Sequence, residues 1–316
     1  MSAPTLSIVL TGRHDNYGGD FNERLFASLR FNHARLAERH VALEIVFVEW
    51  NPLPDKPLLA EVLAREFPDL PLRCIVVARE YQAALTQNPQ IRYLEYLAKN
   101  VGIRRAAGTF ILATNTDVLL GRHVVDVIAS GTLTAGTVYR AARYDLKEDT
   151  DKTRLTWDSL EDPSGHARRP RLKPPLLTGG TGDFLLADRA TFHALRGFNE
   201  VYRAARAGVD VNFLVKANGG GYPIVDIGGP VYHINHEGSF RLSKAAYKEA
   251  PTDTPWGNLR WHSRHVAYSN PDGWGLGDAP VRPLGGGGLF VNFDWRVVPP
   301  LVELRRIVLP VRSVRL

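Results

Sequence analysis

The sequence predicts an α/β protein in which a mainly parallel, Rossmann-like central sheet lies between two helical layers and is followed by an irregular C-terminal extension. Short apolar runs alternate with segments of helical period through the first half of the chain. Polar residues follow several of those runs directly, where ligands bind in such sheets. The last seventy or so residues are rich in Pro, Gly and Trp and show little periodicity, so loops and lids are expected there.

The elements read in order. "LSIVLT" (6–11) is the first strand, and Phe21, Leu25, Leu29 and Leu36 give the following helix an apolar stripe. "LEIVFVE" (43–49) and "LRCIVVA" (72–78) are the next two strands. Tyr93, Leu94, Leu97 and Val101 mark a second helix, which leads into the strand "FILAT" (110–114). In the second half, "TGGTGDFLLADRATFHALRGFNE" reads as a Gly-rich turn, a short strand over 183–187, a helix and a stop at Gly197. A helix in "VDVNFLVKANGGG" ends at its glycines, and the strand "YPIVDIGG" leads to "PVYHINHEGS". These boundaries predict one domain over 1–245, its halves meeting near residue 120, and an extension over 246–316 that ends in a basic tail.

Composition narrows the class. With 316 residues, 44% hydrophobic and 23% charged, the chain is ordinary globular material able to bury a sizeable core. A single cysteine, Cys74, excludes a disulfide framework and a cysteine zinc cluster, and points to a reducing compartment. No basic leader and no apolar run of membrane-spanning length are present, so a cytoplasmic protein is expected. The net charge of +6 is concentrated in "HARRPRLK" (166–173) and the tail "LRRIVLPVRSVRL". The bland reading of both is a solvated surface; the functional one is peripheral contact with anionic lipid, or with a phosphorylated acceptor, at the inner face of a membrane. Pro310 interrupts any long helix in the tail.

The chemistry centres on "ATNTD". A carboxylate at the end of an apolar strand is costly unless it is paired or holds a metal, so Asp117 needs partners. His233 and His236 are the candidates, because one Asp and two His can hold a divalent ion and leave positions open for a diphosphate. In a straight strand these histidines face opposite sides; both reach one ion only if the chain turns at Ile234 and Asn235. Asp210, at the start of its helix, reads either as an N-cap or as a general base. Thr11 and Arg13 close the first strand, and Arg13 can neutralise a phosphate. Glu49 closes the second strand and can accept hydrogen bonds from a ribose or base, whereas Asn100 and Arg104 lie one helical turn apart and can reach a nucleotide. No P-loop, no G-x-G-x-x-G after the first strand and no G-x-S-x-G elbow occurs.

At this point "KNVGIRRAAGTFILATNTD" resembles the nucleotide-sugar glycosyltransferases of the GT-A fold, with Asn115-Thr116-Asp117 in the place of their Asp-x-Asp motif. The second half is similar to the C-terminal region of the beta-1,4-galactosyltransferase-like members. There a Gly-Gly turn, a strand, a helix and "GF-N" precede an acidic cluster and a later metal-binding His. The resemblance implies a three-layer GT-A domain and a metal, Mn2+ or Mg2+, on Asp117, His233 and His236. It implies a nucleoside-diphosphate sugar as donor, a UDP-sugar first among them, in contact with Thr11, Arg13, Glu49, Asn100, Arg104, Asn115 and Asp117. Gly180 and Asp183 would line the acceptor side for a glycan or lipid-linked glycan, Asp210 would be the base of an inverting transfer, and Trp256, Trp261 and Trp274 could stack on sugar rings. The first position departs from the pattern, Asn standing for Asp, which leaves one carboxylate for the ion.

Two other classes compete. A sugar-nucleotide nucleotidyltransferase would want a Gly-rich loop with Arg and Lys after the first strand, and "TGRHDNYGGD" is a poor version of one. A non-catalytic module binding anionic glycans or nucleic acid is suggested by the positive charge. The absence of a basic stripe interleaved with aromatics on one element argues against nucleic acid as a partner.

Overall fold

The computed structural model describes residues 4–175, 177–203, 208–236 and 268–298. Eleven strands form one sheet: β1 (Leu6–Gly12), β2 (Leu43–Trp50), β3 (Leu72–Val77), β4 (Phe110–Thr114), β5 (Val118–Leu120), β6 (Val138–Leu146), β7 (His166–Arg168), β8 (Phe184–Asp188), β9 (Ile224–His233), β10 (Val281–Leu284) and β11 (Gly288–Val291). The helices are α1 (Phe21–Ala37), α2 (Leu59–Glu66), α3 (Glu80–Leu85), α4 (Glu95–Arg105), α5 (Arg122–Ala129), α6 (Trp157–Glu161), α7 (Arg189–Ala194) and α8 (Val209–Gly219). The strand order is β10-β11-β3-β2-β1-β4-β8-β6-β9-β5, with β7 beside β6.

The sheet has two parts. From β11 to β4 every neighbour pair is parallel, whereas β8 runs antiparallel to both β4 and β6 and β5 runs antiparallel to β9. The parallel β6–β9 pair lies within this mixed part.

Period-2 alternation explains the three layers. Leu6, Ile8 and Leu10 of β1 join a core with α1, α2 and α5, while Val9 faces the opposite core with α4, α7 and α8. Ile45 and Phe47 against Val46, Val48 and Trp50 repeat the division on β2. Both faces are covered, which is why these strands read as continuous apolar runs. Helix α4 sits close to the sheet because residue 102 is glycine: a Cβ there would lie 2.6 Å from a methyl of Val9.

The four strands expected in the first half are found within one residue of their predicted ends. The extension departs from the irregular loops expected of it. Residues 281–291 form an antiparallel hairpin whose β11 pairs in parallel with β3, and Trp274, Leu276, Ala279 and Val291 pack into the core with α4. Without that hairpin β3 would present an open edge, which proteins cover where they can. The segments 246–267 and 299–316, with Trp256, Trp261 and the basic tail, lie outside the described residues. No described helix is long and apolar enough to cross a membrane.

Candidate active site

A cleft of about 320 Å3 opens beyond the carboxyl ends of β1 and β4. Its walls include Thr11, Arg13, Tyr93, Glu95, Asn115, Asp117, Arg143, Asp183, His233 and His236.

Local structure places Asp117. After β4 the chain is fastened to α1 by Ser28, whose Oγ donates to the Thr116 carbonyl at 2.6 Å. Asn32 donates to the Val118 carbonyl and accepts from the Leu120 amide, both at 2.8 Å. His233 comes to the same point because it is the last residue of β9, paired in register with Val118 of β5 and Asp145 of β6. The Ile234 amide then donates to the Asp117 carbonyl at 2.8 Å. The chain turns over Ile234 and Asn235, which meets the geometric condition set by the sequence, and brings the His236 ring round to the His233 ring at a centroid distance of 5.5 Å.

The three side chains are buried, and one ligand atom from each lies within 4.8 Å of the other two. Asp117 Oδ2 is 3.6 Å from His233 Nε2, 3.5 Å from His236 Nε2 and 3.5 Å from Arg24 Nε. Burial opposes ionisation of Asp117, yet the two histidines and Arg24 outweigh it and hold the carboxyl well below the usual carboxylate range. His233 is pushed up to about 9: burial opposes the imidazolium, but Asp117 and Asp145 more than offset that penalty. Its Nδ1 lies 3.2 Å from Asp145 Oδ1, so a carboxylate backs the ring nitrogen that faces away from Asp117. That is the arrangement by which proteins orient metal-binding histidines. Behind Asp117, Arg24 is fully buried, paired with Asp20 and donating to the Tyr17 carbonyl. Gly18, at φ +73°, passes so close that a Cβ would lie 2.5 Å from His236 Nδ1.

A second charged group adjoins the first. Asp183 accepts from Asn115 Nδ2 and from Arg143 Nη1, each at 2.8 Å, and Arg143 also pairs with Asp145 at 2.6 Å. Asn115 in turn accepts from Lys99 at 2.7 Å, a fully buried lysine that also donates to the Gly182 carbonyl and pairs with Glu95. Asn115 is thus the neutral member between a lysine and a carboxylate. An Asp there would set two carboxylates within hydrogen-bond distance of each other.

The remaining candidates divide. Thr11, Arg13, Asn115, Asp117, Asp183, His233 and His236 all line the cleft. Glu49 does not: fully buried, it accepts from the Ala60 amide at the start of α2, and desolvation raises its carboxyl. Asn100 is fully buried, bonded to both backbone groups of Phe198 and to Glu200. Arg104 donates to the Asp272 carbonyl and stacks over Trp274. None of these three lines the cleft: Glu49 serves the start of α2, Asn100 the backbone at Phe198 and the Glu200 side chain, and Arg104 the Asp272–Trp274 segment. Trp274 is buried against Arg104 and His193, a core residue more than a sugar platform.

Gly180, in a left-handed turn, packs on the Arg143 stem beside Asp183 and does not itself line the cleft. Asp210, in the first turn of α8, faces Gly182 and is influenced by Arg140, Lys99 and Glu95. Burial raises its carboxyl above the ordinary value. Burial also pushes the Cys74 thiol up to about 12, so it stays protonated. Arg24, Lys99, Arg143 and Asp145 were not found by sequence reasoning, although Arg143 and Asp145 carry a signal, two charges at i and i+2 in "VYRAARYDL".

Neither a family model nor a curated protein matches the chain. Among solved structures, it is similar to mannosyltransferase PcManGT from Pyrobaculum calidifontis in complex with GDP-Man and Mn2+. The identity is 14%, the TM-score 0.49, and the match covers 88% of this chain and 69% of that one. GalNAc-T7 with UDP, GalNAc and Mn2+ matches at 14% identity and TM-score 0.48, over 74% of this chain and 44% of that one. The inositol-1-phosphate CTP transferase from T. maritima matches at 11% identity and TM-score 0.40, over 78% and 96%. Likeness at this level carries no activity across. Fold and site together define an α/β protein with a carboxylate–histidine cluster at the carboxyl ends of its parallel strands.

Proposed function

We propose that the protein transfers a glycosyl group from a nucleoside-diphosphate sugar to an acceptor hydroxyl, with inversion at the anomeric carbon. One observation carries the reading: Asp117, His233 and His236 converge on the wall of a cleft beyond the strand ends, backed by Asp145 and facing into the same space as Arg13. One carboxylate oxygen with two imidazoles fits Mn2+ better than Mg2+, which prefers oxygen ligands throughout. When bound, the ion supplies positive charge to the departing diphosphate.

The chain's own residues do the rest. Arg13, fixed by its bond to the Asn51 carbonyl at 3.0 Å, stabilises charge on the diphosphate oxygens. Asp183, held by Asn115 and Arg143, offers an acceptor hydroxyl a fixed partner. Asp210 takes the proton of the attacking hydroxyl; the new bond forms from that oxygen to the anomeric carbon while the bond to the diphosphate breaks, its electron pair leaving with the nucleotide. A carboxyl raised by burial holds a proton better than an ordinary aspartate, which suits a general base.

Calorimetric titration with UDP, GDP and CDP, with Mn2+ and with chelator, tests the reading. Binding of one nucleotide that vanishes with chelator and weakens in His236→Ala is the expected result. No nucleotide binding in either condition would overturn it.

A further inference from the structure

A second cavity, of about 430 Å3, adjoins the cleft beyond the ends of β1 and β2, and Arg13, Asp15 and Arg92 line both. Its charged lining holds Arg13, Lys56 and Arg92 against one carboxylate, Asp15, which is 3.3 Å from Arg13. Hydrogen bonds hold together the segments that carry the three cations. Asn51 accepts from Arg13 Nε on its backbone carbonyl at 3.0 Å and donates through Nδ2 to the Arg92 carbonyl at 2.8 Å, clasping the segments that carry both arginines. The His14 ring nitrogen Nδ1 lies 3.1 Å from the Pro57 carbonyl and ties down the turn that carries Lys56.

The lining speaks about the occupant. Among the described residues Leu53 is its sole large apolar side chain, and its one ring is the His14 imidazole, with no Phe, Tyr or Trp in the lining. Glu49, the carboxylate that could receive ribose hydroxyls at the end of β2, is turned into α2. A concave site with an excess of cations and little apolar wall attracts an oxyanion.

We propose that this annex is a phosphate-class oxyanion site, separate from the carboxylate–histidine cluster and independent of metal. The proposal goes beyond the donor reading, since it requires neither ion nor nucleotide in the main cleft. The same chemistry fits a phosphate monoester on the ribose of the ligand in that cleft and free inorganic phosphate.

The test uses the full chain in excess chelator, titrated calorimetrically with inorganic phosphate in wild type, Lys56→Glu, Arg92→Glu and His236→Ala. Wild type and His236→Ala should bind alike, and each charge reversal should weaken binding about tenfold or more, the loss of one charge-assisted hydrogen bond. Circular dichroism of the variants checks the fold, and the two reversals act independently of each other. Absence of phosphate binding, or binding insensitive to both reversals in folded protein, overturns the proposal. Binding lost in His236→Ala but kept in the reversals also overturns it, placing the anion in the cluster. A second arm compares adenosine 5′-diphosphate with its 3′-phosphorylated form in Mn2+. Preference for the latter that disappears in Lys56→Glu assigns the annex to a ligand-borne phosphate, and equal affinity assigns it to free phosphate. Failure of Mn2+-dependent nucleotide binding alone would sink the donor reading and leave the annex standing.

Discussion

Asp117 lines the cleft and Asp210 lies at the start of α8 near Gly182, outside its lining, and their surroundings move the two carboxyls in opposite directions. Burial opposes ionisation of both. Around Asp117 two imidazoles and the Arg24 guanidinium stand within 3.6 Å, and the carboxyl is driven well down. Around Asp210 the cations Arg140 and Lys99 act without an ion pair within 4.0 Å among the described residues, Glu95 adds its own negative charge, and desolvation prevails. Two acids pushed apart in this way suit two jobs, a permanently charged ligand and a proton acceptor. What separates them in direction is the close cations that Asp117 has and Asp210 lacks.

The largest test of that contrast is Asp210→Asn. Turnover should fall by roughly 10²–10⁴ while Mn2+ affinity stays as in wild type; a parallel fall in affinity would show that the two regions are one. Next comes Asp145→Asn, which removes the carboxylate behind His233 and should weaken Mn2+ binding by about 10- to 100-fold in calorimetry. Retention of full affinity would remove Asp145 from the metal corner.

The pH response follows in size. His233 has its folded value raised to about 9, above the ordinary 6.5. Between these values the folded state of the metal-free protein binds more protons than the unfolded one, so its stability is fully present below pH 6.5 and declines as pH rises through 9. Mn2+ must displace that proton, so affinity should rise with pH over the same window by up to about tenfold per unit. Thermal melts and titrations at pH 6, 7.5 and 9 check both trends, and a flat profile would detach His233 from Asp117. The smallest effect belongs to Glu49→Gln. Its side chain keeps an acceptor for the Ala60 amide, so denaturant melts should show less than about 1 kcal/mol of change and nucleotide affinity none. A drop in nucleotide affinity would restore the donor contact expected from sequence.

Legibility followed the same geography. β1 to β4 could be read because strands covered on both faces are continuous apolar runs, and Asp117 stood out as a charge at the end of one. The turn at Ile234 and Asn235 could be stated only as a condition. Arg24 and Lys99 escaped notice because a cation within a helical pattern ordinarily marks the solvent face, and both here are turned inward and paired. Glu49 and Asn100 show the converse: a polar residue near a strand end or on a helix face can serve a helix start or a backbone loop as readily as a ligand.

By itself, then, the order of residues determined the α/β class, the parallel half of the sheet, and the short set of Asp117, His233 and His236 as potential partners, since local periodicity and residue chemistry act over a few positions. Tertiary structure alone decided that β9 lies beside β5 and β6, that Asp145 stands behind His233, and that β11 closes the open edge of β3. Those contacts join residues tens to hundreds of positions apart, and their charges acquire direction only from the neighbours that folding supplies.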